Sequence, residues 1–292
     1  MRVLITGVAG FIGSRLAEAM LRAGHEVAGV DNLSTGRRDN VPDGVEFHQG
    51  DVRGWLPSAE LIYHAAASYK DRDEWERDAS VNVLGTINVT KEAIRTGARV
   101  VYFQTSLCYG PNPTTPIPLD APLAPVGSYA VSKTAGEAYL RDSGVDYVSL
   151  RLANIYGPRN LSGPIPVFFR RLTEGQPCTV VDTRRDFVFV DDLVRVAVQA
   201  ATVGAGPYHV ASGADHSIAE VFRAVARAMG SEEAEPTVTP RKPDDVATLL
   251  LDPSATTATF GWTAQTPLAD GIGRAVEWYR EHPVTDTYTH LR

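Results

Sequence analysis

Arg2-Val-Leu-Ile-Thr-Gly7-Val-Ala-Gly10-Phe-Ile-Gly13 is the stretch that decides the fold. A short apolar run, Arg2–Thr6, reads as a buried strand, and helical spacing of apolar residues sets in over Ile12–Arg22. The glycines fall between the two, spaced GxxGxxG. In that context a glycine loop lets the backbone approach a pyrophosphate and offers it the unpaired N–H groups of a helix start. Gly7, Gly10, Phe11, Ile12 and Gly13 are therefore candidate cofactor-binding residues. Asp31 closes the next strand, eighteen residues after Gly13, where an acid can bond both ribose hydroxyls of a dinucleotide. A 2′-phosphate there would meet a carboxylate, which favours NAD over NADP. Arg37 and Arg38 on the following stretch are the feature pointing the other way.

Outward from this unit, Glu26–Asp31, Leu61–His64 and Arg99–Thr105 read as strands, and Val81–Thr96 carries helical spacing. Such alternation predicts an α/β fold, a doubly wound parallel sheet with helices on both faces. Tyr147–Leu152 and Phe187–Val190 read as further strands and Leu193–Ala201 as a helix. Beyond Asp215 the pattern becomes a helix (Ile218–Met229), a polar loop (Ser231–Pro240) and a closing helix (Leu268–His282). The expected division is a cofactor domain over 1–160, to which 186–213 returns, and a smaller α/β capping lobe from 161–185 and 214–292. Six prolines crowd Pro111–Pro125; lying between candidate site residues, they suggest an ordered loop beside the cleft.

Composition excludes several classes. Of 292 residues 43% are hydrophobic and 22% charged, the values of an ordinary globular protein. The net charge of −7, with scattered basic residues, argues against a nucleic-acid surface. No apolar run reaches the roughly 20 residues that span a bilayer, and the start lacks the pattern of a secretory signal. Cys108 and Cys178 show no metal-ligand spacing and no disulfide framework, as expected of reduced thiols in a cytoplasmic protein with no metal.

Tyr129-Ala-Val-Ser-Lys133 is the candidate catalytic pair. Four residues apart on a helix, phenol and ammonium share a face. A nearby ammonium favours phenolate, which makes tyrosine a usable base near neutral pH.

Taken together, several segments resemble the extended short-chain dehydrogenase/reductases. They are Gly7–Gly13, Asp31–Gly36, Gly50-Asp51-Val52, His64–Ala67, Asn82–Thr86, Thr105–Gly110, Tyr129–Lys133, Arg151–Pro158, Arg185–Asp192 and Arg241–Asp244. In order, they cover nearly the whole chain. The subgroup they resemble is the NAD-dependent nucleotide-sugar epimerases and dehydratases. Ala67–Asp71 and the terminal Tyr-Thr-His-Leu look like epimerases of bacterial surface-glycan pathways, and Asp31–Gly36 with the short C-terminal lobe resembles UDP-glucuronate 4-epimerases.

The resemblance implies a Rossmann-type fold and a set of roles. Asn32, Ser34 and Gly36 accompany Asp31 at the cofactor. Asp51 accepts from the adenine amino group beside Val52, while Ala65, Ala66 and Ala67 line the ribose and nicotinamide side and Asn82 orders that region. His64 is expected to be a satisfied histidine at a strand end. Tyr129 as phenolate takes a sugar hydroxyl proton while hydride moves to NAD+. The ketone turns over and receives hydride on its other face. Lys133 lowers the Tyr129 pKa and bonds the ribose, and Thr105 bonds the reacting hydroxyl. Asn154, Arg185 and Arg241 approach the diphosphate and Asp244 the nucleotide ribose of a UDP-sugar. Pro164–Phe169 and Cys178–Val180 flank the base. Ser68 and Ser106, with Thr105 and Arg185, are candidates to cradle a sugar carboxylate. A homodimer through the Val81–Thr96 and Tyr129–Asp142 helices is also implied.

Departures from the family pattern discriminate among reactions. Its 4,6-dehydratases carry Asp-Glu where this chain has Ser106-Leu107, and its uronate decarboxylases carry Glu at the place of Leu107. Cys108 falls one place away from the cysteine of the 3,5-epimerases and reads as a buried small residue. Redox 4-epimerisation of UDP-glucuronate to UDP-galacturonate is the expected activity. A dehydratase or oxidoreductase of the same family is the alternative, and a non-catalytic NAD sensor is the different class, disfavoured because Tyr129, Lys133 and Thr105 are all retained.

Overall fold

The computed structural model describes residues 1–69, 74–112, 114–241, 246–282, 284 and 287. The first half runs β1 (Arg2–Thr6), α1 (Phe11–Arg22), β2 (Glu26–Asp31), β3 (Glu46–Gln49), β4 (Leu61–His64), α2 (Trp75–Asp78), α3 (Gly85–Thr96), β5 (Arg99–Thr105), α4 (Ser128–Ser143) and β6 (Tyr147–Leu152). It continues as β7 (Asn154–Tyr156), α5 (Pro164–Thr173), β8 (Thr179–Val181), β9 (Arg184–Phe189), α6 (Val190–Gln199) and β10 (Gly206–Val210). The last part holds β11 (Asp215–Ser217), α7 (Ile218–Met229), β12 (Thr237–Thr239), β13 (Thr248–Leu249), α8 (Ser254–Phe260) and α9 (Leu268–Glu281).

Seven strands form one sheet in the order β3-β2-β1-β4-β5-β6-β10, and every neighbouring pair is parallel. Parallel strands need crossovers, which put helices on both faces, so the strands are apolar on both sides. β1 shows this: Val3 and Ile5 face one buried cluster with Leu16 of α1 and Leu193 of α6, while Leu4 faces the other with Val89 and Leu140 of α3 and α4. The order reverses between β1 and β4, and at such a switch point the carboxyl ends of the strands open a crevice.

Three details depart from the sequence reading. The helix expected over Val81–Thr96 extends back to Trp75, with a π-helical stretch, Ala79–Leu84, between α2 and α3. The Phe187–Val190 run is strand only to Phe189, and β9 joins β7, β11 and β13 in a separate four-stranded sheet. From there α6 packs on α1, and β10 extends the central sheet. The polar loop Ser231–Pro240 contains β12, which pairs with β8. Ile117, fully buried within the proline-rich loop, donates its N–H to Leu250 at 2.8 Å and accepts from Asp252 N–H at 3.0 Å. That loop is thereby strapped to the C-terminal segment.

Candidate active site

A cleft of about 740 Å³ opens at the carboxyl ends of β1, β2, β4, β5 and β6. Its wall takes in Gly7, Gly10, Phe11, Ile12, Gly13, Asp31, Asn32, Ser34, Asp51, Val52, Ala65, Ala66 and Ala67 from the expected cofactor set, and Thr105, Ser106, Tyr129, Lys133, Ser68, Asn154 and Arg185 from the rest. Gly36 and Asn82 stand behind the wall. Arg241 is exposed and outside it, following β12 at the edge of the two-stranded sheet. Asp244, Lys70, Asp71 and the terminal Tyr288-Thr-His-Leu lie outside the described residues. No described residue of the proline-rich loop lines the cleft; its strap joins it to Leu250 and Asp252, next to Leu249 of the cleft wall.

The cofactor half is backbone laid close to backbone. A Cβ on Gly13 would stand 2.1 Å from the Gly7 carbonyl oxygen, and one on Gly7, at φ +73°, 2.7 Å from Ala66 N. The loop therefore presses on the Ala65–Ala67 turn with no side chain filling the cradle. Asp31 accepts from Ala9 N–H at 2.9 Å and Leu33 N–H at 2.8 Å. Burial raises its pKa, and those two bonds oppose the rise. Gly36 packs on Ala9, whose carbonyl carbon would lie 2.8 Å from an added Cβ. This cradle, with a carboxylate at the end of β2, fits a dinucleotide.

Asp51 is engaged on both oxygens. One accepts from Arg53 N–H at 2.9 Å and Nε at 2.7 Å; the other accepts from Arg53 Nη2 at 2.8 Å and Asn32 Nδ2 at 3.3 Å. Its hydrogen bonds to Arg53 hold its pKa down to about 2. An adenine amino group would have to share a carboxylate whose four lone-pair directions are already used. No spacing in the sequence marks Arg53 for this place.

On the side of Tyr129 and Lys133, Asn82 clamps the turn after β4. Its Oδ1 accepts from Ser68 N–H at 2.8 Å, and its Nδ2 donates to the Ser68 carbonyl and to Ser132 Oγ, both at 2.9 Å. Thr105 Oγ1 accepts from Leu107 N–H at 3.2 Å, capping the turn that follows β5 and leaving its own proton for a ligand oxygen. Lys133 is 2% exposed, and its Nζ lies 3.9 Å above the Tyr102 ring. Burial lowers its pKa to about 7, with Glu137 opposing. Burial also raises the Tyr129 phenol above its ordinary value, and Tyr69 and Asp78 add to the rise. Desolvation, and not the expected lowering by Lys133, thus sets the phenol within the protein alone. Tyr69, part of the Ala67–Asp71 stretch but given no role from the sequence, also lines the cleft, with its ring 6.2 Å from that of Tyr129. Asp78 is 1% exposed, and among the described residues neither carboxylate oxygen has a hydrogen-bond partner.

Beneath the pair lies a buried polar network. Gln104 donates to the Lys133 carbonyl at 3.1 Å and to Glu137 at 3.4 Å, and accepts from Thr105 N–H at 2.8 Å. Glu137 pairs with Arg151 at 3.1 Å, and Arg151 donates to Tyr109 Oη at 2.7 Å. His64 is wholly buried between Thr6 Oγ1 (2.7 Å) and Thr86 Oγ1 (3.0 Å); burial, then repulsion from Lys133, lowers its pKa to about 3. Cys108 is likewise buried, its thiol pushed up to about 12 by desolvation.

On the substrate side, Asn154 Nδ2 donates to the Asp186 carbonyl at 3.0 Å, and Arg185 Nη1 to the Arg184 carbonyl at 2.7 Å. Of the expected base-flanking residues only Pro164 and Ile165 face the cleft; Phe168, Phe169, Cys178 and Val180 are core.

The profile of the NAD dependent epimerase/dehydratase family matches residues 3–211. The chain belongs to that family. NAD is its cofactor, in keeping with the cradle above. The chain is 35% identical to a UDP-glucose 4-epimerase of Mycolicibacterium smegmatis over 96% of this chain and 99% of that one. It is 30% identical to UDP-glucuronic acid decarboxylase 1 of Xenopus tropicalis, over 98% and 75% respectively. Among solved structures, the Bordetella bronchiseptica enzyme WbmH in complex with NAD+ superposes with a TM-score of 0.92 at 45% identity, over 96% of this chain and 98% of that one. WbmG of the same organism, in complex with NAD and UDP, gives 0.91 at 44%, over 100% and 99%. The protein is thus an enzyme of a nucleotide-sugar epimerase/dehydratase family. Among the described residues no helix is long and apolar enough to cross a membrane.

Proposed function

We propose that this enzyme is a UDP-sugar 4-epimerase that inverts C4 through a 4-keto intermediate, and that it interconverts UDP-glucuronate and UDP-galacturonate. The observation that carries the reading is the composition of the wall beside Thr105. Ser106 and Leu107 face the cleft there, so the site lacks the carboxylates with which relatives eliminate water or assist decarboxylation. When bound, NAD+ supplies the hydride acceptor and a positive charge near the phenol. Tyr129 takes the proton of the reacting hydroxyl as general base and returns it as general acid. Thr105 donates its free proton to the same oxygen and orients it. Lys133 stabilises the phenolate and offers N–H donors toward the cofactor ribose.

Support for a uronate comes from the polar set Ser68, Thr105, Ser106 and Arg185 around one cavity that also holds the Tyr129–Lys133 pair. Arg185 would meet a carboxylate or a diphosphate with a planar fork of donors. Incubation with NAD and a panel of UDP-sugars, read by NMR and mass spectrometry, tests this. The uronate assignment is abandoned if UDP-glucose and UDP-galactose equilibrate much faster than the uronates. Loss of mass from the product would replace epimerisation with dehydration or decarboxylation.

The proposed assembly is a cytoplasmic homodimer. Leu84, Ile94, Val131 and Tyr139, on the π-helical stretch, α3 and α4, expose large apolar side chains, a surface suited to a second copy. Sedimentation of a monomer at micromolar concentration would refute it.

A further inference from the structure

Lys133 presents a problem of charge. Its ammonium is almost wholly removed from water, yet among the described residues no carboxylate lies within ion-pair distance of it. An ammonium taken out of water loses far more than a distant counter-charge returns. What lies against Nζ is the face of the Tyr102 ring, 3.9 Å from the centroid. Aromatic faces carry a negative quadrupole that attracts cations most strongly where water is excluded.

Tyr102 is held for that contact at both ends. It is wholly buried on β5, and its hydroxyl donates to the Lys133 carbonyl at 2.8 Å, so the same residue pins the lysine's backbone and faces its side chain. Gln104, two residues on and hence on the same face of β5, bonds that carbonyl as well. His64 of β4 also packs on the ring, tilted, with 5.6 Å between centroids. A leucine or valine would keep this place apolar but would leave the ammonium without an aromatic face.

We propose that the face of the Tyr102 ring is the counter-surface that keeps Lys133 protonated, which makes Tyr102 a positioning residue for the Tyr129–Lys133 pair. The groups that could compete come from each neighbouring element. They are His64 from β4, Tyr129 and Glu137 from α4, Arg151 from β6 behind Glu137, and Asp78 from α2 beside Tyr129. His64, held well below its ordinary pKa, is neutral above acid pH and adds no cation; Glu137 supports the ammonium from a distance. With burial setting the Lys133 pKa at about 7, a modest change in what faces Nζ alters its charge at neutral pH. The consequence for turnover rests on the epimerase reading above; the consequence for Lys133 itself does not.

The test reads the lysine directly. Trace acetic anhydride labels unprotonated amines, and with only four lysines in the chain the Lys133 peptide is readily followed by mass spectrometry across pH. The full chain is compared with Tyr102→Phe, Tyr102→Leu and a variant carrying pentafluorophenylalanine at position 102. The last keeps the ring and reverses its electrostatic face. The expected labelling midpoint is near that of the natural chain in Tyr102→Phe. It falls by about one pH unit in Tyr102→Leu and in the fluorinated variant. Should Tyr102→Leu fail to fold, the fluorinated ring decides alone. Equal midpoints for phenylalanine and its fluorinated form overturn the proposal. Absence of sugar turnover in the natural chain, with the midpoints shifting as expected, overturns the epimerase reading instead. Where turnover is present, the alkaline limb of kcat moves down with the midpoint in the fluorinated variant, a change that a purely structural role would not produce.

Discussion

Replacing Asn82 with alanine tests what holds the wall between cofactor and base. Asn82 is 1% exposed and makes three hydrogen bonds of 2.8–2.9 Å, two of them to the N–H and C=O of Ser68. Truncation removes all three. Ser132 Oγ keeps the bond it donates to the Tyr129 carbonyl at 2.9 Å, but the buried Ser68 amide and carbonyl lose the partner that clamps them. Unsatisfied buried groups cost about 1–3 kcal/mol each, so Asn82→Ala should destabilise the NAD-free enzyme by about 3–5 kcal/mol. Asn88→Ala is the comparison. Its two bonds, to the Val52 and Gly54 carbonyls at 2.8 and 2.7 Å, lie near the surface where water replaces them, and about 1 kcal/mol is expected. Because the turn that Asn82 clamps lines the cleft, NAD binding must then also order it, and Kd should rise at least about tenfold. Urea unfolding and calorimetric titration with NAD give both quantities. An Asn82→Ala enzyme within 1 kcal/mol of the natural chain, with unchanged Kd, would falsify the clamp.

Tyr129→Phe keeps the ring and loses the base. Turnover should fall by about 10²–10⁴-fold with NAD affinity within about twofold, and near-normal turnover would remove Tyr129 from the mechanism. Asp78→Asn removes a negative charge that raises the Tyr129 pKa after burial and Tyr69. Phenolate then forms at lower pH, so the acid limb of kcat against pH should move to lower pH; a move upward, or none, contradicts the field assigned to Asp78. Gly13→Ala places a Cβ 2.1 Å from the Gly7 carbonyl oxygen, and calorimetry should detect no NAD binding to the folded variant. Ordinary affinity would mean the loop can open without loss.

What was legible in the sequence was local. The strand, glycine loop and helix from Arg2 to Arg22 and the acid at Asp31 follow from spacing along one stretch of chain, and the structure places them together. The Tyr129–Lys133 pair needs only helical periodicity. The support beneath it depends on register. Gln104 sits opposite Arg151 only because β5 and β6 pair in parallel at that offset, and Glu137, four residues past Lys133, meets both from α4. The spacing of Glu137 was visible, but its partners, on two other strands, were not. β9 was read as a strand, yet a buried apolar run looks alike whichever sheet it joins, so its place beside β7, β11 and β13 was not legible. Tyr69 and Arg53 lie in loops, where no period marks which side chains face a cavity.

The strap through Ile117 constrains how this protein could be recombined. Grafting another C-terminal segment after Val210 would bring in a foreign counterpart of 250–252 while keeping the native proline-rich loop. Ile117 would then seek the backbone partners it now finds at Leu250 and Asp252, and His209 would lose the Asp252 carbonyl that Nδ1 now meets at 2.9 Å. Chimeras that exchange 114–125 together with the C-terminal segment should therefore express as soluble enzymes where single-junction chimeras aggregate. The C-terminal segment would then be exchangeable only together with a separate, earlier piece of chain.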